Sequence, residues 1–191
     1  MDERKEYICK ARVRSELRDR RAHIADKPAL SKMATEHILP LLRGNVLVYA
    51  SIADELCTTD LINALFSRAD VQVFAPFTVN GIIMPRRLIK LGKADRLGNL
   101  ADECYSKEND SEVKIDVCVT PLLGFDSDGY RLGYGKGCYD RFFVEHDTFK
   151  MGLAFDAQRA EFSHEAHDIP LDCCVTESGV IYFNRNACNI G

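Results

Sequence analysis

Two rhythms of apolar and polar positions run along this chain. Residues 4–23 contain neither glycine nor proline and are dense in helix-forming side chains, which predicts a helix. A second helix is expected after Asp26, with Pro28 in its first turn, where a missing N–H is harmless. Leu30, Met33, Ile38 and Leu41 space themselves as its apolar face, and Pro40 should bend or end it. The rhythm then shortens. "VLVYA" (46–50) is an apolar run with β-branched residues, the pattern of a buried strand. "SIADELCTT" (51–59) is polar and loop-like, and Thr58 or Thr59 can cap a helix over "DLINALF". "VQVFAPF" (71–77) is the next strand, so strand, helix and strand follow at short spacing, which argues for a parallel α/β sheet. Between 81 and 114 the pattern is weak: "GIIM" suits a strand and "SKENDSEVK" a solvated loop. "IDVCVTP" (115–121) and "MGLAF" (151–155) read as buried strands, and "DCCVTESGVIYF" as two strands around a turn at 177–179.

Composition narrows the setting. At 191 residues the default is a single domain, here 1–191, with enough chain to bury a sizeable core. A 46% hydrophobic and 28% charged content is that of an ordinary soluble protein. A net charge of −4 gives no reason to expect nucleic acid or an anionic membrane as partner. The start "MDERKEYICK" lacks the apolar stretch of a signal peptide, and no apolar run approaches membrane-spanning length. The eight cysteines form no C-x-x-C pair and read as reduced, mostly buried thiols, so a cytoplasmic location is expected. Against the acidic whole, residues 4–21 hold eight Lys or Arg and three acids, a local excess of five positive charges.

The chemistry concentrates in "GYRLGYGKGCYDRFF" (129–143). Gly133, Gly135 and Gly137 alternate, which matches neither G-x-G-x-x-G nor a P-loop. The stretch nevertheless follows a strand and precedes "CYDRFFVEH", which can start a helix with unpaired N–H groups and a partial positive charge. Glycines let backbone amides approach an anion, Lys136 adds a point charge and Arg131 a fork of donors, so the segment reads as a phosphate cradle. Asp140 beside it would repel phosphate unless a cation lay between them, and magnesium is the usual one. The bland alternative is a solvated surface turn with Asp140 favouring the helix N-terminus.

"GFDSDGYRLGYGKGCYDRFF" resembles the signature of the 5-formyltetrahydrofolate cyclo-ligase family, also called methenyltetrahydrofolate synthetases. "KARVR" (10–14), the loop "SIADELCTT" and "AHDIPLDCCVTESG" (166–179) match in order, so the likeness spans nearly the whole chain. The resemblance implies an open, mostly parallel sheet flanked by helices in three αβα layers, with the basic helix at the N-terminus. It implies ATP-dependent conversion of 5-formyltetrahydrofolate to 5,10-methenyltetrahydrofolate, with ATP as co-substrate, Mg2+ as cofactor, and the protein acting as a monomer on a folate that can carry further glutamates.

Residue by residue, the resemblance assigns Lys10 and Arg14 to ATP; lying four apart they share a helix face, although a solvated basic face would look the same. The segment Arg131, Leu132, Gly133, Tyr134, Gly135, Lys136, Gly137, Cys138 and Tyr139 matches the main ATP-binding stretch. Within it, Tyr134, Gly135, Lys136, Gly137 and Cys138 also match folate contacts, and Lys136 with Arg131 are the catalytic cations. Asp140 and Asp168 match metal ligands; Glu55 matches a folate contact that would accept from pterin N–H groups. Met84 lies near a pocket position, or is a core methionine. Two features depart from the family pattern: Cys138 replaces the first of two tyrosines, and residues 97–110 lack an expected Glu-Pro pair, with "DECYS" nearby. His146, His164 and His167 are spaced unlike a zinc motif and suit surface or cap roles. A nucleotide- or folate-binding protein without turnover, and a sugar-phosphate enzyme of related fold, are the competing readings.

Overall fold

The computed structural model describes residues 9–96, 98–108 and 113–183. Seven strands form one sheet in the order β3-β2-β1-β4-β7-β8-β9: β1 (Gly44–Val48), β2 (Val71–Val79), β3 (Ile82–Arg87), β4 (Val117–Thr120), β7 (Phe149–Leu153), β8 (Cys173–Thr176) and β9 (Gly179–Tyr182). The five inner strands are parallel, and the two edges, β3 and β9, are antiparallel hairpin partners of β2 and β8. A separate two-stranded hairpin, β5 (Gly124–Phe125) with β6 (Arg131–Leu132), was not visible in the hydrophobic pattern because two-residue strands have no period to show.

Helices cover both faces. α2 (Lys27–Ile38) and α3 (Thr59–Phe66) close the larger core over Val46, Val48, Val73, Val119, Leu153 and Val175. On the opposite face, Leu47, Phe74 and Cys118 pack with Phe142 and Phe143 of α4 (Cys138–Glu145). Successive residues of β1 therefore serve opposite faces, as the two-residue period of a strand requires. α1 (Lys10–Ala22) packs through Val13 and Leu17 on Leu132 and Phe162. Residues 4–8 of the expected first helix lie outside the described residues.

Asp26 caps α2, accepting from Ala29 N, and Pro28 sits in its first turn as expected. Ile38 is buried and Leu30 and Leu41 pack against the core as expected, but Met33 is exposed, and Ser31, Ala34 and Thr35 complete the buried face. Ser31, Ala34 and Thr35 are small and two of them polar, so apolar spacing alone does not mark the whole face. Thr58 occupies the N-cap of α3, but its hydroxyl does not cap; it donates to Tyr49 O at 2.8 Å and ties the loop back to β1. Cys104, Cys118, Cys173 and Cys174 are buried, and all seven described cysteines are free. Burial pushes the Cys173 thiol up to about 12, so it stays protonated and unreactive.

Candidate active site

β1 is flanked by β2, which follows it in sequence, and by β4, which comes later, so the chain reverses direction across the sheet at β1. Ligands of open α/β sheets gather at the carboxyl ends of strands beside such a point. A cleft of about 1430 Å³ opens there, walled by Tyr49 and Ala50 after β1, Pro76 and Thr78 of β2, and Pro121 after β4. That volume exceeds the range of about 300–1,000 Å³ usual for one small ligand.

The glycine loop forms one side. Gly135 and Gly137 have φ of 93° and 62°, a left-handed backbone that glycine adopts without strain. Gly137 is the N-cap of α4, so the loop delivers the chain into a helix N-terminus as the sequence implied. Arg141, one turn into α4, clamps the loop: its Nη2 donates to Lys136 O at 2.9 Å and to Gly81 O at 2.8 Å, in the β2–β3 turn. Arg14 reaches over from α1 and donates through Nε to Gly133 O at 2.9 Å, while its guanidinium carbon lies 3.6 Å from where a Cβ on Gly135 would stand. A side chain at 135 would meet that guanidinium. Lys136 is exposed and, among the described residues, its ammonium has no ion-pair partner.

The stripe of cations on α1 is divided by helical geometry. Lys10, Arg14, Arg18 and Arg21, spaced four, four and three apart, all line the cleft. Arg12 instead pairs with Glu16, and Arg20 caps the carbonyls of Ala157 and Arg159. The sequence reading took only Lys10 and Arg14; continuing the same spacing would have found Arg18 and Arg21.

Both expected metal ligands line the cleft, each held by a cation. Asp140 Oδ1 accepts from Arg131 Nη2 at 2.7 Å and from Ile169 N at 3.4 Å. Asp168 Oδ2 accepts from Lys10 Nζ at 2.5 Å and from Glu165 N at 2.7 Å. Burial works against ionisation of Asp168, but the Lys10 hydrogen bond and charge more than offset it and hold the carboxyl below its ordinary range. The second oxygen of each carboxylate accepts no hydrogen bond among the described residues. Among those residues no three His, Cys, Asp or Glu side chains gather into a cage for a metal. Two carboxylates with one open oxygen each suit Mg2+, which is bound by one or two carboxylates while keeping water and phosphate oxygens.

Arg131 is placed differently from a free phosphate clamp. Its side chain is 5% exposed, Nη1 donates to Ile169 O at 2.8 Å, and its guanidinium lies over the Phe143 ring at 4.9 Å. Burial depresses its pKa, with Asp140 opposing that shift. It ties α4 to the 165–169 segment and so joins the elements bearing Asp140 and Asp168. Leu132 is buried in the α1 contact, and Tyr139 packs on Phe143 while also lining the cleft. Cys138 Sγ, also in the cleft, lies 3.9 Å from Arg141 Nη2.

Across from the glycine loop, residues 51–58 are braced from within. Ser51 and Thr58 exchange hydrogen bonds through their side chains and backbone amides, and Tyr49 OH donates to Leu56 O at 3.0 Å. This loop presents Glu55, which is 9% exposed. Its Oε2 accepts from Ile52 N at 3.0 Å and its Oε1 from Tyr134 OH at 3.2 Å. Burial raises its pKa, and the Ile52 amide, Arg21 and Tyr134 pull the other way. Met84, by contrast, is exposed on β3 outside the cleft, and its neighbour Ile83 lines it. His146 caps α4 through Phe142 O, and His167 is a surface partner of Glu165. His164 is neither: it bonds the fully buried Asp126 and stacks on Tyr130, and Asp126 in turn accepts from the amides of Asp128 and Tyr130 to hold the turn before β6.

The sequence pattern of the 5-formyltetrahydrofolate cyclo-ligase family matches residues 7–177. A 5-formyltetrahydrofolate cyclo-ligase of Escherichia coli is 33% identical over 151 residues, covering 73% of this chain and 81% of that protein. The match to a 5-formyltetrahydrofolate cyclo-ligase of Mycoplasma pneumoniae is 38% identical over 66 residues, 34% of this chain and 40% of that one. Among solved structures, an NMR structure of the Aquifex aeolicus 5,10-methenyltetrahydrofolate synthetase superposes with a TM-score of 0.70 at 23% identity, covering 92% of this chain and 93% of that one. Its three-layer α/β architecture is the one described above.

Proposed function

The chain belongs to the 5-formyltetrahydrofolate cyclo-ligase family, and we propose that it closes 5-formyltetrahydrofolate to 5,10-methenyltetrahydrofolate in a reaction that consumes ATP and requires Mg2+. The observation that carries this reading is the cleft itself. Open cationic donors on the glycine loop and α1 face a buried carboxylate, Glu55, across a space wide enough for two substrates.

A formamide carbonyl is a weak electrophile, and its oxygen is a poor leaving group. Transfer of the γ-phosphoryl group to that oxygen answers both faults: N10 of the folate then attacks the activated carbon, and the C–O bond breaks with release of phosphate. The protein needs no nucleophile for this. Its work is to position the two substrates and to stabilise charge on the phosphoryl group in flight. Lys136 and Arg14 do the second of these, with the loop amides. Glu55 does the first by accepting from the pterin N–H groups. Arg131 acts through Asp140 rather than on phosphate. Asp140 and Asp168 would hold Mg2+, which supplies charge neutralisation between carboxylate and phosphate when bound. Burial of four thiols supports the reading of a reducing cytoplasm.

Incubating the protein with 5-formyltetrahydrofolate, with and without ATP and Mg2+, tests this directly. The methenyl product absorbs in the near ultraviolet and should accumulate only when all three are present. Binding of nucleotide or folate with no product would favour a non-catalytic binding protein instead.

A further inference from the structure

Arg21 spends its polar contacts on segments that wall the cleft. Its side chain is 3% exposed, yet the apolar contact of α1 is made by Val13 and Leu17. Nη2 donates to Asp54 Oδ1 at 2.7 Å and to Tyr134 OH at 2.8 Å, and Nη1 reaches Leu122 O at 3.4 Å. Its Nε is buried with no partner among the described residues. A buried cation with an orphaned donor is a costly way to fill space, and an apolar side chain of similar volume would serve packing as well or better. Its two charge-assisted contacts run to the two loops that face each other across the site.

The Tyr134 hydroxyl that accepts from Arg21 passes its own proton into a hydrogen bond with Glu55 Oε1. A phenol that accepts from a guanidinium becomes a stronger donor. Glu55 is thereby fixed from two sides, by Tyr134 and by the Ile52 amide, and each of its oxygens keeps a lone pair for a ligand. Resting on the reading of Glu55 as acceptor for the pterin N–H groups, we propose that Arg21 is a positioning residue for the folate, acting through the Tyr134 hydroxyl and Asp54 to aim the Glu55 carboxylate.

The charges around Glu55 agree. Facing it are Arg21 from α1, Asp54 from its own loop, Tyr49 from the end of β1, Tyr134 from the glycine loop and Tyr139 from α4. Burial raises the pKa of all three tyrosines, which stay neutral, so Arg21 supplies the positive charge in that set. Burial of Asp54 is more than offset by its Arg21 hydrogen bond, so Asp54 stays ionised and its charge is matched.

Steady-state kinetics of Arg21→Met, Tyr134→Phe and Glu55→Gln across pH test the role. Arg21→Met should raise the folate KM about tenfold at neutral pH, the loss of one charge-assisted contact. The ATP KM should stay within about twofold, and the pH below which the folate KM climbs should move upward because Glu55 loses its cation. The double variant with Tyr134→Phe should be no worse than either alone, since both cut one relay. A folded Arg21→Met with an unchanged folate KM overturns the proposal. So does a parallel rise of both KM values with loss of thermal stability, which would mark a structural role. If Arg21→Met does not fold, Tyr134→Phe carries the test, and an unchanged folate KM there overturns it equally. An unchanged folate KM in Glu55→Gln removes the reading of Glu55 and the proposal with it, whereas a raised one beside a normal Arg21→Met removes only the role of Arg21.

Discussion

At the glycine-loop end of the cleft, Lys136 stands exposed with no ion-pair partner among the described residues, and Arg14 donates through Nε to a carbonyl. At the Glu55 end, Asp54, guanidinium, phenol and carboxylate bind one another in a chain, with Arg21 and Glu55 buried and Tyr134 partly exposed. The difference follows from what each end would hold. A triphosphate carries its own charge and binds best to donors left open and only lightly desolvated. A pterin ring offers neutral N–H groups, and a carboxylate is worth most to them when it is dry, already aimed and kept ionised.

The largest effect should come from the open end. Lys136→Met is expected to lower kcat by about 10²- to 10³-fold, the usual loss for one donor to developing charge. Because Lys136 is exposed and has no ion-pair partner among the described residues, the variant's melting temperature should not change. A marked loss of stability in this variant would mean that the lysine is tied into the fold and that the two ends are not so different.

The closed end should behave in the opposite manner. The Glu55 pKa is raised, mainly by burial, so the folded state binds the Glu55 proton more tightly than the unfolded chain does. Stability is therefore lost as pH rises from the ordinary glutamate range through the folded-state value. At neutral pH the ionised, buried carboxylate therefore works against the fold. Glu55→Gln, which loses folate affinity, should then melt higher than the parent at neutral pH, and the gain should fade in acid. Thermal melts at several pH values check this. An equally large gain at acidic pH would show that ionisation is not its source.

How much of this contrast could be read from the chain depends on which physical signal each part leaves. The buried strands announce themselves as short β-branched runs, and the glycine loop by residue types that only a left-handed turn needs. β3 extends past "GIIM" to Arg87, because its outer edge faces solvent and its residues need not be apolar. The closed network left almost no local trace. Arg21, Asp54, Glu55 and Tyr134 come from three separate segments, and sequence separation hides any hydrogen bond made across 33 or 113 positions. Arg21 also sat among so many cations that a solvated helix face was the natural reading; only its spacing from Arg14 set it apart. Arg131 shows the converse. Its position beside the cradle suggested a phosphate contact; it lines the cleft, yet it is also buried against Phe143 with donors on Asp140 and Ile169 O, ties that the sequence does not display.

The smallest effect separates the open end from the exception within it. Lys10 and Asp168 form a close pair whose side chains are only 12% and 14% exposed, so one cation there is already matched by an acid. The Asp168 pKa is depressed: burial opposes ionisation, but Lys10 outweighs it. The pair's contribution is therefore full above the ordinary aspartate range and is lost as pH falls through the lower folded-state value. Asp168→Asn should cost a few tenths to about 1 kcal/mol near neutral pH, as partly exposed pairs do. The gap between variant and parent should close as pH falls below the ordinary aspartate range. Because Asp168 would also hold Mg2+, saturating ATP with Mg2+ should stabilise the parent more than the variant and widen the same gap at neutral pH. A gap that ignores both acid and nucleotide would mean that Asp168 matters to the fold through its Glu165 amide contact alone, and that the open end is open throughout.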